Sequence, residues 1–285
     1  MPEITAVQYM TENLHDWLIK DPIVSVDILS SANQKRIDFE HFKMPTGIPI
    51  DVFRRGKNSV VVYQQGCLVL RYQLSGKIVQ ASSNTPPSFA RVRFLLQSGN
   101  ALYWVDKINF GQLHWVASKR EANTLFATLG PEFWPQKKTA AWWKQRIKGK
   151  KAIHKILIDQ KVVAGIGNII AIEALYRSKI HPTTHPNALQ ESDWTALAKN
   201  IHLVVNASHQ EHNQRRQQEK ERGIFLGSLP LVSEGHRKAT GFQIYGRQDM
   251  LCPQCKEANI EKSSLGSRPI YLCPLCQKPT KGQKS

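Results

Sequence analysis

The sequence predicts an α+β fold in three parts, and three observations lead to that prediction. Paired hydrophobic runs separated by short turns fill residues 1–130 and predict an N-terminal antiparallel β-sandwich. Helical periodicity dominates residues 131–240, which predicts a helical domain. Two C-x-x-C pairs mark residues 241–285 as a small four-cysteine finger. With 285 residues, the chain is long enough for two domains and a small third module.

The N-terminal part is expected to hold one opening helix followed by hairpins. Apolar residues recur at helical spacing between positions 4 and 19 and predict a helix with one buried face. The runs S-V-V-V-Y at 59–63 and C-L-V-L-R-Y at 67–72, joined by Q-Q-G, predict a hairpin. A second hairpin is predicted from R-V-R-F-L-L at 91–96 and A-L-Y-W-V at 101–105. Repeated hairpins of this kind favour an antiparallel sandwich.

The composition changes at residues 129–138, where two prolines and two lysines indicate a linker. Beyond it, Trp194, Leu197 and Ile201 lie at helical spacing and predict a core helix, with Ser192 as its N-cap. Residues 209–222 have almost no apolar content, so they are expected to form a solvated helix end or a mobile loop.

The charge balance indicates a polyanionic partner. Lys and Arg number 39 against 22 Asp and Glu, which gives a net charge of +17 and a pI near 9.8. Neutralising phosphates releases counterions and drives binding to nucleic acid, although a merely basic soluble protein would show the same balance. No run of 18 apolar residues occurs, and the N-terminus lacks a basic region followed by an apolar run. We therefore expect no membrane span and a cytoplasmic protein, associated with the nucleoid if bacterial.

The four clustered cysteines predict one structural metal site. C-P-Q-C and C-P-L-C supply four thiolates at a spacing that closes a tetrahedral zinc site with no open position, and iron is the alternative. The expected ligands are Cys252, Cys255, Cys273 and Cys276. Between the pairs, two short strands around Gly266 would turn Arg268 outward. A zinc ribbon alone points only weakly to nucleic acid, since RNA-binding and transcription proteins also use it.

Two further short stretches raise a chemical question. A-G-I-G-N at 164–168 places two glycines before a helix beginning near Asn168, which suits either an anion at the helix N-terminus or close packing of two helices. At the start of the chain, removal of Met1 would leave Pro2 with a free secondary amine. Such an amine can act as a nucleophile. The alternative is that it has no chemical role, because many proteins begin with Met-Pro.

Four motifs together resemble one enzyme family. G-I-G-N-I-I-A-I-E-A-L at 165–175 resembles the helix-two-turns-helix signature of the formamidopyrimidine-DNA glycosylase and endonuclease VIII family, which excises oxidised bases. The stretch I-E-K-S-S-L-G-S-R-P-I-Y-L-C-P-L-C-Q at 260–277 is similar to the C-terminal finger of this family, and in particular to that of the endonuclease VIII branch. R-R-G-K at 54–57 and M-P-E at the start are also similar, and all four occur in the family's order across nearly the whole chain.

The resemblance implies a base-excision-repair glycosylase with lyase activity at abasic sites. It assigns Pro2 as the nucleophile that forms a Schiff base at C1′ and Glu3 as the acid/base. It assigns Lys57 as the basic catalytic residue at a hairpin tip, where it binds phosphate and stabilises departing oxyanions. It implies that β- or β,δ-elimination follows. The DNA contacts that it implies are Leu74, Phe110, His154, Lys155, Asn168 and Arg268. The expected partner of a monomer is damaged DNA, duplex or single-stranded, with abasic sites or oxidised bases.

The chain departs from the family pattern at four places. Thr5 and Ala6 replace a second proline and a second glutamate, and Ile108 replaces an arginine that pairs with the orphaned base. His154 stands where the family places a phosphate-binding lysine. Residues 211–240 also differ from the lesion-capping form expected for an 8-oxoguanine enzyme. The expected substrate range is therefore shifted from 8-oxoguanine opposite cytosine.

Two other functions remain open at the level of the sequence. The departures at Ala6, Ile108 and His154 would also suit a catalytically weak protein that binds damaged DNA or abasic sites. An unrelated zinc-ribbon protein acting on RNA or in transcription is the third possibility, and preferential binding to abasic over intact duplex would refute it.

Overall fold

The computed structural model describes residues 2–29, 47–222 and 242–279. The described residues fall into two compact units. Unit 1 contains those up to Thr128 together with the stretch from Glu211 to Arg222. Unit 2 contains Leu129–Gln210 and the described residues from 242 onward.

Unit 1 is built from two antiparallel sheets and two helices. In chain order, its elements are α1 (Ile4–Leu18), β1 (Ile23–Ile28), β2 (Asp51–Arg55), β3 (Asn58–Tyr63), β4 (Gly66–Arg71), β5 (Lys77–Ser82), β6 (Ala90–Leu96), β7 (Asn100–Val105), β8 (Gln112–Val116) and α2 (Lys119–Thr124). One sheet has the order β1-β6-β7-β5 and the other β2-β3-β4-β8. The opening helix and both hairpins predicted from the sequence are confirmed, since β3 pairs with β4 and β6 with β7.

The core of unit 1 lies where α1 and both sheets meet. Met10 and Leu14 of α1 join one buried cluster with Leu68 and Leu70 of β4 and with Phe94 of β6. Because side chains from both sheets share this cluster, the predicted antiparallel sandwich is confirmed.

Unit 2 is mainly helical and ends in a two-stranded ribbon. Its elements are α3 (Ala140–Arg146), α4 (Ile153–Leu157), α5 (Asn168–Arg177), a 3₁₀ helix at Pro186–Ala188, α6 (Glu191–Arg222), β9 (Glu261–Leu265) and β10 (Arg268–Leu272). The predicted ribbon strands are confirmed. The last residues of α6, from Glu211, belong to unit 1. No helix of the described residues is long and apolar enough to cross a membrane.

The beginning of α6 differs from the prediction. The helix starts at Glu191, so Ser192 lies inside it and the predicted N-cap is wrong. The carboxylate of Asp193 instead accepts the backbone N–H of Gln190 at 2.8 Å. Asp193, the third residue of the helix, thereby satisfies the backbone N–H of Gln190, the residue directly before the helix.

Residues 209–222 form the end of α6 rather than a loop, and contacts with α1 explain why so polar a stretch is ordered. Arg216 donates to Asn13 at 2.9 Å and to the carboxylates of Glu12 at 3.1 Å and Asp16 at 2.6 Å. The buried Tyr9 hydroxyl donates to Glu219. Burial, together with this carboxylate, raises the pKa of Tyr9. The polar stretch is therefore helical because it pairs with α1.

Candidate active site and nucleic-acid interface

The two N-terminal residues of the candidate active site precede a firmly buried helix. Pro2 is partly exposed and Glu3 is buried, directly before α1. The Glu3 carbonyl accepts the Val7 N–H at 3.0 Å, which makes Glu3 the N-cap. Ile4, which opens the helix, is buried in the interior. The position of residue 2 is therefore fixed by the packing of α1, while Met1 lies outside the described residues.

Lys57 occupies the tip of the β2–β3 hairpin. Its neighbour Gly56 has φ of +58°, a backbone conformation that favours glycine. The tip is braced by Arg54, whose Nη1 donates to the Gly56 carbonyl at 2.8 Å, and by Asn58, whose Nδ2 donates to the Arg55 carbonyl at 2.9 Å. Arg54 Nε also donates to Gln8 of α1 at 3.1 Å. The hairpin that carries Lys57 is thus bonded to the helix that follows Pro2.

The predicted intercalating residues lie on two loops held by one buried carboxylate. Leu74 is in the β4–β5 turn, and the exposed Phe110 is in the β7–β8 loop. Asp106 accepts the Gly111 N–H at 2.6 Å and the Ser75 hydroxyl, whose oxygen accepts the Ile108 N–H at 2.9 Å. These bonds hold the two loops together, so Leu74, Phe110 and the exposed Ile108 lie on loops with a common anchor at Asp106.

Glycines at the base of both loops allow this arrangement. A Cβ at Gly111 would lie 2.4 Å from the ring of Trp104, and one at Gly76 would lie 2.6 Å from the Tyr72 carbonyl and 2.8 Å from the same ring. All three distances are well below van der Waals contact, so a side chain at either position would displace its loop.

In unit 2, His154 and Asn168 join the two helices of the A-G-I-G-N turn to the ribbon. Asn168 opens α5, and its Nδ2 donates to the Pro269 carbonyl of β10 at 2.8 Å. Its Oδ1 must therefore be the acceptor for His154 Nε2, 2.8 Å away on α4. This fixes the histidine proton on Nε2. Arg268 begins β10 beside Pro269, so the link places it near the start of α5.

His154 is wholly buried, whereas its neighbour Lys155 is exposed. Burial lowers the pKa of His154, an effect opposed by the bond to Asn168 and reinforced by the cations Arg268 and Lys155. The imidazole is therefore neutral at pH 7. Its Nδ1 is buried and has no hydrogen-bond partner among the described residues. In this arrangement His154 orients Asn168, and Lys155 is the residue that faces solvent.

The side chain of Gln160 makes three hydrogen bonds within the turn between α4 and α5. The Gln160 amide accepts the Gly165 N–H at 2.9 Å and donates to the carbonyls of Ile158 and Ile166 at 2.9 and 2.8 Å. Gly165 has φ of +106°, which explains the glycine at that position. The start of α5 is therefore a preformed feature of unit 2.

The four cysteines form a cluster that suits a tetrahedral metal ion. Their sulfurs lie within 4.8 Å of one another, with 3.9 Å between Cys252 and Cys276 and 3.7 Å between Cys255 and Cys273. Metal–sulfur bonds of about 2.3 Å in a tetrahedron would place the sulfurs about 3.8 Å apart. The residues present therefore fit such an ion, and all four predicted ligands meet at one point.

Comparison with known proteins identifies the family. Residues 1–113 match the family model of the formamidopyrimidine-DNA glycosylase N-terminal domain, and residues 129–218 match that of its H2TH domain. A formamidopyrimidine-DNA glycosylase of Streptococcus pyogenes is 30% identical, with 98% of this chain and 99% of the relative covered. The chain belongs to the formamidopyrimidine-DNA glycosylase family. By class it is a DNA glycosylase and abasic-site lyase.

Two further matches agree with this family. The formamidopyrimidine-DNA glycosylase of Syntrophotalea carbinolica is 29% identical over 98% of this chain and 100% of its own length. The enzyme of Lactococcus lactis, solved non-covalently bound to DNA containing an abasic site, matches with a TM-score of 0.79 at 22% identity, covering 97% of this chain and 100% of that one. The structural likeness shows that the described part of the chain has the fold of that enzyme.

Sequence reasoning missed one buried acid of the glycosylase fold. Glu173 of α5 is fully buried and accepts the backbone N–H groups of Gln243 at 2.9 Å, Ile244 at 2.9 Å and Tyr245 at 2.8 Å. Desolvation raises its pKa, and the three N–H groups oppose that rise. Glu173 thereby fastens the segment leading into the finger to α5. A lone acid in the apolar run I-I-A-I-E-A-L was the available signal.

Proposed function

We propose that this glycosylase uses the amine of Pro2, exposed once Met1 is removed, to attack C1′ of a damaged nucleotide. The observation that carries the proposal is the placement of Pro2, partly exposed, at the head of a helix whose first turn is buried in the core. A nucleophile needs such fixed placement, since misplacement by about 1 Å can cost about 100-fold in rate.

Attack by the proline nitrogen forms an N–C1′ bond and breaks the glycosidic bond, so the base departs with the bonding electrons. Opening of the sugar ring then gives an iminium at C1′, which withdraws electrons and acidifies the C2′ proton. Loss of that proton expels the 3′ phosphate by β-elimination. Water finally hydrolyses the iminium and restores the amine.

Glu3 and Lys57 would move protons and stabilise charge in this sequence. The buried Glu3 carboxyl, next to Pro2, would exchange a proton with the sugar-ring oxygen as the ring opens. Lys57, on a hairpin braced by Arg54 and Asn58, would bind a phosphate beside the lesion and stabilise the departing oxyanion.

Asn168, Lys155 and Arg268 would contact backbone phosphates, and Leu74 and Phe110 would enter the base stack. The location of His154 supports a different role from the direct contact expected from the sequence. It is buried and bonded to Asn168, so it would position that residue while Lys155 supplies the charge.

The proposed substrate range follows from position 108. Ile108 is exposed on the loop held by Asp106, so it would present an apolar side chain where the family places an arginine. An aliphatic group offers no hydrogen bond to the orphaned base, so discrimination of the opposite base would be weak. We therefore propose oxidised pyrimidines, ring-opened purines and abasic sites as substrates, in place of 8-oxoguanine opposite cytosine.

The finger would hold one zinc ion in a structural role. The donor set of four cysteines and the sulfur separations support zinc, and four protein ligands leave no position for substrate. The ion would stabilise the fold of a short segment. We also propose that the enzyme acts as a monomer in the cytoplasm.

Borohydride trapping on abasic DNA tests the mechanism, because reduction of the iminium makes the adduct permanent. The native protein should give a covalent adduct, Pro2→Gly should give little or none, and the surface control Pro86→Gly should match the native protein. An adduct of undiminished yield with Pro2→Gly would refute Pro2 as the nucleophile.

The second candidate function is a damaged-DNA binding protein with weak chemistry. Ala6 is buried at the position where the family has its second acid, so no carboxylate is present there. Turnover of a panel of lesion oligonucleotides separates the two functions. Cleavage that is lost in Pro2→Gly would eliminate the binding protein, and binding of abasic DNA without turnover would favour it.

A further inference from the structure

Residues 133–158 of unit 2 carry an unusual concentration of positive charge. This stretch contains the cations Lys137, Lys138, Lys144, Arg146, Lys148, Lys150, Lys151 and Lys155, and it contains no Asp or Glu. Among the described residues, only Lys144 of this set forms an ion pair, with Glu191. The others lack a carboxylate partner within the described ranges, so their charge is available to a partner molecule.

Helix α3 holds part of this charge around an aromatic ring. Trp143 points inward, where it is buried and packs against Phe133 with ring centroids 5.5 Å apart. The adjacent Trp142 is only partly buried and meets Trp143 edge-on at 4.9 Å. Thr139 caps the helix by accepting the Trp142 N–H at 3.2 Å. Trp142 is therefore a rigid feature of the surface.

Two cations rest on this ring. Arg146 lies 4.6 Å and Lys138 lies 5.7 Å from the Trp142 ring centroid, within the range of cation–π attraction. Such contacts restrict long side chains without neutralising their charge, so less conformational entropy is lost when an anion binds. Together with the exposed Lys137 and Lys148, these residues form a surface that we name the Trp142 patch.

We propose that the Trp142 patch is a second contact surface for the DNA backbone, separate from the residues that act at the lesion. Clustered cations in a stretch of chain that contains no acid match the charge of a row of phosphates, and Arg146 can bind one phosphate with two parallel N–H groups. The inference rests on the proposed function only in taking DNA as the polyanion, since it needs neither Pro2 nor a damaged base. Its effect would be to hold the enzyme on intact duplex while it searches.

The test is the salt dependence of binding to an undamaged duplex, measured by fluorescence anisotropy over a range of KCl concentrations. Each lost phosphate contact reduces the slope of log K against log salt by about 1. The double variant Lys138→Gln/Arg146→Gln should therefore lower the slope by about 2. Lys199→Gln, an exposed cation of α6 outside the patch, is the matched control and should change it little.

Two further variants make the result specific. Trp142→Leu keeps every charge but removes the ring, so the slope should stay while affinity falls about 2- to 5-fold. Arg146→Glu should weaken binding more than Arg146→Gln, with an unchanged melting temperature. Borohydride trapping at saturating enzyme should be normal in all of them, which separates this inference from the proposed mechanism. A slope for the double variant equal to that of Lys199→Gln would overturn the proposal.

Discussion

Replacing Asn168 with alanine is expected to loosen the attachment of the ribbon to α5. The side chain makes two hydrogen bonds, a buried one to His154 Nε2 and a partly buried one to the Pro269 carbonyl, each 2.8 Å long. Both partners would lose their bond, and an unsatisfied buried group costs about 1–3 kcal/mol. Allowing for partial access of water, we expect unit 2 to lose about 2–4 kcal/mol of stability.

Calorimetry on the full chain measures this change. A loss of this size lowers the melting temperature of a protein of 150–250 residues by roughly 4–16 °C. Asn200→Ala is the matched control, since that amide makes one partly buried bond, to Ser178 Oγ at 3.0 Å. Asn168→Asp should be at least as damaging as Asn168→Ala, because a carboxylate facing the Pro269 carbonyl repels it.

Hydrogen exchange locates the effect. The backbone amides of β10 should exchange faster in Asn168→Ala, while those of β3 and β4 in unit 1 should not change. If Asn168→Ala melts at the same temperature as Asn200→Ala, or if exchange in β10 is unaltered, the two bonds do not hold the ribbon and the reasoning fails.

Three further predictions concern pH, metal and packing. The pKa of His154 is lowered in the folded protein, so as the pH falls the unfolded chain binds a proton at this histidine first, near pH 6.5. The contribution of the neutral, buried His154 to the free energy of unfolding is therefore complete above that pH and is lost as the pH falls further. The loss is at most about 1.4 kcal/mol per pH unit. Urea titrations from pH 7.5 to 5 should show a flatter dependence in His154→Gln, and parallel curves would contradict this. Removal of the metal by a chelator should destabilise unit 2 and leave the melting of unit 1 unchanged. Metal analysis checks the removal and calorimetry measures the melting. Unchanged melting of unit 2 would exclude a structural metal. Gly111→Ala should cost about 1–3 kcal/mol through its clash with Trp104, and a stability equal to the native protein would show that the loop adapts.

Local patterns predicted the elements of this fold well. The periodicity of α1 and the paired runs of β3–β4 and β6–β7 depend on neighbouring residues, so the sequence contains the whole signal. The metal cluster is similar, because two C-x-x-C turns have few ways to meet.

Long-range polar pairs were beyond such reasoning. The polar end of α6 is ordered by Arg216 and Glu219, whose partners in α1 lie some 200 residues earlier in the chain. Glu173 binds backbone groups about 70 residues later. The role of His154 was also hidden, because its burial depends on how α4 packs. The lesion-capping segment expected within 211–240 falls largely outside the described residues.

The shared anchor at Asp106 has a consequence for how specificity can change. The shape of the β7–β8 loop depends on backbone N–H groups, a serine hydroxyl and a glycine, and the side chain at position 108 takes no part in these bonds. The side chain at that position can therefore be exchanged while the loop keeps its place. Under the proposed function, the backbone would set the place where the loop meets a base and the side chain at position 108 would set the contact made there, so one substitution would change the substrate without changing the loop.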